Sequence, residues 1–483
     1  MFSIKAARYT VFGFTFLLHL VLTLTLSGDS PTGIDGYYYL KQIETIAQTG
    51  QFYFQDHSLA FFPPAFLTFI FPTQSIFILQ LSTSLCYAFT LTALFISIHF
   101  IVIATGGSES RNKIIYYPLT VVVMVWLTLP FHHFAFTYYK NLFAITLLLW
   151  AICFYFQSIE GSQQSKKSVY LSIFLVVLAM FSHKSVFALL TLFLISYVLH
   201  QFSIKRFMQL IAVLAGLLAL FFLVFARGSA YLLEIIKTFH FQTNFLNWFG
   251  NSLRHDKFVI VIYLLCVTII LVYFFVRNKI PTEYKTYTFA VMLFLGITTF
   301  PFQKFGYNET SFRFLVLTPL FILPTLVLFV QTTKTKIKYF RLTLPGLLVV
   351  FTGFFLLEVG RIQLNFLDWK QLSNIEKISQ HVSHKDHLIA HHGLEYYVNY
   401  ITGIRARQWK SADEQQQKFR IAFVPNRVMD KHNRKLFATK ALLKLNEEYY
   451  LVTEEYWQYY RKNYFLVGSW KNPEMQRPPH LHE

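Results

Sequence analysis

The sequence predicts an all-α domain that crosses the membrane many times, followed by a small mixed α/β domain. Two observations predict this fold class. First, 54% of the 483 residues are hydrophobic and only 14% are charged, whereas a soluble globular chain carries about 25% charged residues. Second, apolar stretches long enough to span a bilayer core of about 30 Å recur through most of the chain. Together these features exclude a disordered chain, a coiled coil and a disulfide scaffold.

We interpret eleven apolar stretches as transmembrane helices, which need about 20 apolar residues each, although the two stretches on either side of His183 and the stretch that ends at Phe300 are shorter than this. We place them at residues 9–27, 74–104, 114–130, 141–157, 168–181, 185–200, 208–226, 258–276, 288–300, 314–331 and 342–358. No small-x-small cleavage site follows the first stretch, so we interpret it as a membrane helix and not as a cleavable signal. The membrane domain therefore covers residues 1–359.

Basic residues favour one orientation of these helices. Arg111, Lys166 and Arg277 fall in alternate loops, whereas the long loop 28–73 contains a single lysine, Lys41. Because cytoplasmic loops are enriched in Lys and Arg, the N-terminus is predicted to be cytoplasmic and the C-terminus extracytoplasmic. The formal net charge of +19 then reflects cytoplasmic loops and lipid headgroups. We expect a multi-pass protein of the bacterial cytoplasmic (inner) membrane that binds membrane lipids and no nucleic acid.

The composition changes after about residue 360, where charged residues become frequent and no apolar run is long enough to span a bilayer. Short apolar runs at His387–Ala390 and 419–424 alternate with helical patterns at 369–382 and 436–445. This alternation predicts a small extracytoplasmic α/β domain over residues 360–483. We expect the first strand to turn into a helix after His391, at an edge that can line an acceptor cleft.

The first outer loop, residues 28–73, contains the most informative acid. Asp35 lies between Gly33 and Gly36 shortly after the first span, and is therefore expected at the membrane surface. The two glycines allow a tight backbone turn around it. A carboxylate in this place can accept a proton from an attacking hydroxyl. The alternative is that Asp35 only caps a helix over residues 37–48.

This loop resembles that of the GT-C glycosyltransferases, polytopic enzymes that take sugars from polyprenyl phosphates. The resemblance is carried by Asp35 with the tyrosine-rich helix start after it, by Gly50 after that helix, and by Pro63 and Pro64 before the second span. The overall plan is similar to that of protein O-mannosyltransferases and of the aminoarabinose transferases of lipid A. The resemblance implies a GT-C-like fold and a catalytic base at Asp35. Asp29, at the end of the first span, is the alternative base.

The resemblance also implies cations that face the phosphate of the lipid donor. Relatives often carry a lysine just before the Pro-Pro pair, and this chain has Phe62 there. We therefore assign donor-phosphate binding to Arg313, Lys140 and Lys184, which lie near the outer ends of later spans. Snorkelling to lipid headgroups is the alternative for each of them.

Four more residues are candidates for substrate binding. They are Asp56, Tyr37, His132 and His133. Asp56 is a second acid of the first loop that can help to bind an acceptor or a metal, with a solvated loop acid as the alternative. No cofactor is predicted, and a divalent metal is possible but not required, because the lipid phosphate is already a good leaving group.

These observations predict an inverting glycosyltransferase of the cell envelope. It would transfer a sugar in one displacement from a polyprenyl-phosphate donor to a hydroxyl of a glycan, lipid or protein acceptor on the outer face of the membrane. One alternative is a surface-glycan polymerase or ligase on another helical fold, which would carry a long late outer loop. Another is a transporter or a non-catalytic scaffold, which would show mid-membrane carboxylates or repeats. The sequence has none of these features.

Reporter fusions test the predicted topology. We expect the site after Lys336 to lie in the cytoplasm, and the site after Glu483 to lie outside it, because an odd number of spans separates the two termini. Paired alkaline phosphatase and green fluorescent protein fusions at each site would distinguish the two compartments. A cytoplasmic C-terminus would remove the proposed outer domain.

Overall fold

A computed structural model describes residues 4–33, 35–54, 56–106, 111–127, 129–159, 165–183, 372–383, 386–391, 393–408, 417–424 and 431–464, with scattered positions between 186 and 328. Its N-terminal part is helical. The helices are α1 (Ile4–Ser27), α2 (Gly36–Thr49), α3 (Phe62–Ile70), α4 (Ser75–Gly106), α5 (Arg111–Trp126), α6 (Leu129–Thr137), α7 (Tyr139–Ile159) and α8 (Ser165–Ser182).

Three helical stretches of the described chain are long and apolar enough to cross a membrane, namely Ile4–Ser27, Pro72–Ala104 and Tyr139–Ser158. A fourth forms if Ile115–Trp126 and Phe131–Thr137 together make one bent span. Helix α4 is the centre of this bundle, because it packs against α1, α5 and α7. Helix α1 buries one side against α4 and exposes apolar side chains such as Phe14 and Leu17 on the other, as expected of a helix that faces lipid.

The structure confirms helices at the first, second, fourth and fifth predicted spans and corrects the third. The predicted span 114–130 is broken, because α5 ends at Trp126 and α6 begins at Leu129 at an angle of 64°. The chain leaves the helix between Trp126 and Leu129, and Pro130 then fits the first turn of α6, where its missing N–H is not needed. Most of the later predicted spans lie outside the described residues, so the count of eleven stays a prediction.

The loop 28–73 folds as predicted over its first half. Helix α2 ends at Thr49, and Gly50 follows with a left-handed φ of 71° and donates its N–H to the carbonyl of Ile46. This is the usual way in which glycine terminates a helix. A short 3-10 turn, Leu59–Phe61, then leads into α3. Helix α3 buries Pro64 and Ala65 and exposes an apolar face formed by Phe62, Phe66, Phe69 and Ile70.

Gly33 lets the loop approach the end of α6 closely. Its φ is +73°, and a Cβ atom added there would lie 2.5 Å from the Thr137 Cα and 2.8 Å from the Phe136 carbonyl oxygen. Both obstacles are backbone atoms that cannot rotate away. Only glycine fits this contact, which joins the turn before α2 to the chain just ahead of α7.

The C-terminal part contains a five-stranded sheet. Its strands are β1 (His387–Ala390), β2 (Ala406–Gln408), β3 (Gln417–Phe423), β4 (Leu443–Lys444) and β5 (Tyr449–Thr453). The strand order is β2-β1-β3-β5-β4, with β1 parallel to both β2 and β3 and the remaining pairs antiparallel. Helix α9 (Leu394–Thr402) connects β1 to β2, and α10 (Lys431–Lys440) and α11 (Glu454–Tyr464) follow β3 and β5.

Both faces of this sheet are buried. Alternate side chains of a strand point to opposite faces, and in β3 Ile421 joins the larger apolar core whereas its neighbour Ala422 packs with Phe437 and Trp457 of α10 and α11. A buried ion pair of Arg420 and Glu454, with N–O distances of 2.7 and 3.0 Å, connects the sheet to the start of α11. The strand predicted at His387–Ala390, and the helix predicted to follow it, are confirmed.

Two predicted helices of this region are corrected. Only a 3-10 turn, Ile375–Gln380, forms within the described part of the predicted helix 369–382, because Asn374 before it has a left-handed φ of 63°, which interrupts a right-handed helix. The predicted helix 436–445 ends at Lys440. Leu443 beyond it pairs with Leu451 of β5, so pairing with a neighbouring strand overrides the local helical preference.

Replacing Gly33 by alanine tests the close approach, and Gly50→Ala is a matched control. Gly50 has a similar φ of +71°, but no described atom lies within 4 Å of its added Cβ. Both variants bear left-handed strain of about 1–2 kcal/mol, and Gly33→Ala bears a further ~1–3 kcal/mol from overpacking. Melting in detergent should therefore occur at a lower temperature for Gly33→Ala than for Gly50→Ala. Equal melting temperatures would contradict the contact with Thr137.

Candidate functional site

Asp35 is the residue before α2 and is half-buried. The turn is set by the Gly36 N–H, which donates to the Gly33 carbonyl at 3.2 Å. Within the described loop, the Asp35 side chain makes no hydrogen bond that caps α2. The capping alternative therefore does not describe what this carboxylate does.

Asp29, the alternative base, occupies a different turn. It is exposed, directly after α1. The Gln80 side chain fixes this turn, because its Nε2 donates to Ser27 Oγ at 2.8 Å and to the carbonyls of Gly28 and Ser30 at 3.0 Å each. Asp29 is thus more open to solvent than Asp35.

Two of the predicted site residues, Asp56 and Lys140, are direct partners. The Lys140 ammonium donates to Asp56 Oδ2 in an ion pair whose side chains are 19% and 21% exposed. The Tyr38 hydroxyl donates to the same oxygen. The Lys140 Nζ also lies 5.9 Å from the centre of the Tyr38 ring, within cation–π range. We call Tyr38, Asp56 and Lys140 the acid–lysine cluster.

Gln42 fixes the backbone that presents Asp56. It is fully buried on α2, and its Nε2 donates to the carbonyls of Phe54 at 3.3 Å and Asp56 at 3.2 Å. Its Oε1 accepts the Phe54 N–H at 2.9 Å. One amide side chain thus satisfies three backbone groups of the segment that carries Asp56.

The same segment is held from two later helices. The Tyr139 hydroxyl donates to the Ala60 carbonyl at 3.0 Å, and the Ser58 hydroxyl donates to the carbonyl of Ser182 at the end of α8. Tyr139 is the residue before Lys140. The start of α7 therefore provides both the cation that binds Asp56 and a hydrogen bond that holds the chain behind it.

Helix α9 of the C-terminal part covers this loop with aromatic side chains. The Tyr396 ring lies 5.1 Å from the Tyr38 ring, and the Tyr397 ring lies 4.7 Å from the Tyr37 ring. Tyr37, a predicted substrate-binding residue, is buried in this contact. Its substrate role stays a prediction, and its observed contacts are with tyrosines of α9.

Polar contacts reinforce the same junction. The Tyr400 hydroxyl donates to Glu44 Oε1 at 3.0 Å, and Asn399 Nδ2 donates to the Tyr53 hydroxyl at 3.0 Å. The Glu44 oxygen also accepts the hydroxyl of Ser75 at 2.6 Å. The first loop is therefore fixed against both the start of α4 and the C-terminal part.

Burial keeps the phenols of this region protonated. It raises the pKa of Tyr38 well above the usual range of a phenol, and the negative charge of Asp56 raises it further. Burial, followed by the charge of Glu44, raises the pKa of Tyr400 to about 12. Both hydroxyls are thus neutral hydrogen-bond donors at physiological pH.

The two predicted histidines lie in α6. His132 is fully buried, with its Nε2 2.6 Å from the Trp126 carbonyl oxygen and 3.3 Å from the Tyr87 hydroxyl. Its ring stacks on that of His19 with centroids 5.8 Å apart. His133 is half-buried. Substrate binding by either one stays a prediction, and His132 contacts the interior of the bundle.

Arg313 and Lys184 lie outside the described residues, so their phosphate roles stay predictions. Among the residues that the structure describes, no group of three or more His, Cys, Asp or Glu side chains could hold a metal ion.

Periodicity links the residues that the sequence analysis missed. Tyr38 and Gln42 follow Asp35 by three and seven positions, a spacing that places all three on one side of a helix. This spacing was the available signal for Tyr38 and Gln42. No comparable signal in the sequence pointed to Tyr396.

Comparisons with known proteins agree with the predicted fold. The chain shares the fold of ArnT from Cupriavidus metallidurans bound to undecaprenyl phosphate, with a TM-score of 0.55 at 10% identity over 92% of this chain and 98% of that one. ArnT in its apo state matches with a TM-score of 0.52 at 11% identity, over 93% and 98%. The predicted resemblance to GT-C enzymes is therefore confirmed at the level of the fold.

A third structure is less similar. The oligosaccharyltransferase AglB from Archaeoglobus fulgidus, in complex with an inhibitory peptide and a dolichol-phosphate, matches with a TM-score of 0.41 at 10% identity, over 90% of this chain and 71% of that one. No protein-family model matches the chain. A search of curated proteins also finds no match.

Replacing Gln42 by alanine tests whether it holds the Asp56 segment. Losing three partly buried hydrogen bonds should cost roughly 1–3 kcal/mol, because the backbone groups of Phe54 and Asp56 lose their partners. We expect a lower melting temperature and faster proteolysis between residues 51 and 58. Gln48→Ala is the control, because Gln48 is exposed on the same helix. If both variants were cleaved at the parental rate, Gln42 would not be what holds this segment.

Proposed function

We propose that this protein is a membrane glycosyltransferase that uses a polyprenyl-phosphate sugar as its donor. The observation that carries the proposal is the fold shared with ArnT over almost the full length of both chains, in a structure of ArnT that binds undecaprenyl phosphate. A fold can host several functions. The proposal therefore also depends on the chemistry available at the outer end of the bundle.

Asp35 is the proposed catalytic base. Its carboxylate accepts the proton of an acceptor hydroxyl. The hydroxyl oxygen then bonds to the anomeric carbon of the sugar, while the bond from that carbon to the phosphate oxygen breaks. The electron pair leaves with the lipid phosphate, and the configuration at the sugar inverts. The half-buried position of Asp35 in the turn before α2 supports this role.

Lys140, Arg313 and Lys184 are the proposed cations for the phosphate. A cation beside the leaving oxygen stabilises the charge that develops there. Lys140 has the strongest support, because α7 places it in the acid–lysine cluster beside the first loop. Tyr37, Asp56, His132 and His133 stay proposed substrate contacts.

The proposed setting is the outer face of a bacterial cytoplasmic (inner) membrane. The apolar helices support a membrane protein, and the orientation rests on the distribution of Lys and Arg. A glycan, a lipid or a protein could serve as the acceptor. A polymerase or ligase on a different helical fold is disfavoured by the fold shared with ArnT.

Replacing Asp35 by asparagine tests the base. The change preserves size and removes the proton acceptor, and loss of a general base typically lowers the rate about 10²- to 10⁴-fold. The measurement is release of undecaprenyl phosphate from a mixed pool of undecaprenyl-phosphate sugars, with acceptor supplied by a membrane extract. We expect Asp35→Asn to lose this release while melting at the parental temperature.

Asp29→Asn is the matched variant, because Asp29 lies in the neighbouring turn of the same loop. It should retain release if Asp35 is the base. A fully active Asp35→Asn together with an inactive Asp29→Asn would transfer the role to Asp29. If the parent protein itself releases no lipid phosphate from any sugar donor of the pool, the proposed function is wrong.

A further inference from the structure

Lys140 is already paired in this structure. Its ammonium donates to Asp56 Oδ2, so the positive charge proposed for the donor phosphate is balanced by a carboxylate. An arriving phosphate meets a pair with no net charge. Because a neutral pair attracts an anion weakly, Lys140 can bind phosphate strongly only after it has left Asp56.

The cluster is built so that this separation is tolerable for Asp56. When the cation leaves a half-buried ion pair, the negative charge of the carboxylate is normally left uncompensated. Here the Tyr38 hydroxyl donates to the same Oδ2, and the raised pKa of Tyr38 keeps its proton in place. Gln42 holds the Asp56 carbonyl at 3.2 Å. Asp56 can therefore keep its position and one donor when the lysine departs.

Lys140 is the partner that can move. Its side chain is a flexible four-carbon stem with three rotatable N–H donors, and it is 19% exposed. Tyr38, in contrast, is packed against Phe54 at 4.8 Å and Tyr396 at 5.1 Å. Lys140 can thus change partners without repacking the aromatic rings around Tyr38.

We propose that Lys140 alternates between Asp56 and the phosphate of the lipid, and that Lys140 pairs with Asp56 again when the product leaves. This inference rests on the proposed function. The donor is a phosphodiester with one negative charge. The product is a lipid phosphate monoester, which carries between one and two negative charges near neutral pH. The product would therefore hold Lys140 more firmly than the donor does. Competition from Asp56 for Lys140 offsets this stronger binding and promotes release of the lipid phosphate.

Equilibrium binding of radiolabelled undecaprenyl phosphate to the full chain in nanodiscs tests the exchange, with undecaprenol as the ligand without phosphate. Asp56→Asn removes the competing charge and should bind undecaprenyl phosphate roughly 5- to 30-fold more tightly, the range expected between an exposed ion pair and a charged hydrogen bond. Lys140→Gln should bind it more weakly. The double variant should bind like Lys140→Gln, because the gain requires the lysine.

Glu44→Gln is the matched control. It removes a carboxylate from the same loop, but one that is bonded to Ser75 and Tyr400. Its affinity for undecaprenyl phosphate should change less than twofold, which separates release of Lys140 from a general change of charge. Melting of each variant in detergent shows whether it is folded. Tyr38→Phe is a second variant for this test. It removes the hydroxyl that donates to Asp56, so Asp56 holds Lys140 more tightly and undecaprenyl phosphate should bind more weakly.

Several results would overturn the exchange. Asp56→Asn with parental or weaker affinity would show that Asp56 does not compete for Lys140. A double variant that binds as tightly as Asp56→Asn would show that another cation receives the phosphate. In both cases the proposed glycosyltransferase function would stand. A parent protein that binds undecaprenol as well as undecaprenyl phosphate would overturn the exchange and the lipid-phosphate donor together.

Discussion

Asp56 is an anion placed where separate parts of the chain meet, and the junction of the 28–73 loop with α7 depends on how its charge is balanced. Burying a carboxylate is costly unless it is paired and hydrogen-bonded. Lys140 provides the opposite charge and Tyr38 a second donor to the same oxygen. Helices α2 and α7 must both be in place for this balance, so the ion pair couples the loop to the bundle.

Buried polar groups are hydrogen-bonded in different ways in the bundle and in the loop. Inside the bundle, threonine hydroxyls bond to carbonyls of their own helix, and some side chains reach a neighbouring helix, as His19 does with Ser84 at 3.0 Å and His132 with the Trp126 carbonyl. Such pairing is expected where no water is available. In the loop, polar side chains instead hold backbone groups, and Gln42 alone holds three of them. The loop is thus a folded part of the structure, in which a 3-10 turn and α3 follow the irregular segment after Gly50.

The sequence predicted the helices and strands whose signal lies within a few neighbouring residues. Apolar length predicted α1, α4, α7 and α8, and the turn chemistry of Gly50 predicted the end of α2. The strand at His387–Ala390 was predicted from a short apolar run. In each case the signal lies within the element itself, because hydrophobic periodicity and end residues act over a few positions.

The features that the sequence did not predict depend on contacts between distant residues. Asp56 and Lys140 were both chosen as candidates, but nothing in the sequence showed that they would bind each other. Leu443 was predicted as helical because its partner strand cannot be recognised from local pattern. The break between Trp126 and Leu129 was missed because the apolar run continues across it, and hydropathy does not register a change of helix direction.

The separation in sequence between these partners has a consequence for biosynthesis. Asp56 binds a lysine 84 residues later, Ser58 a carbonyl 124 residues later, and Tyr53 an amide 346 residues later. At about 5–20 residues per second, the last of these partners leaves the ribosome roughly 20–70 s after the first loop. The acid–lysine cluster can form during that interval, but its cover from α9 cannot. An interrupted chain would therefore present an uncovered cluster, so complete synthesis is a condition for a closed site.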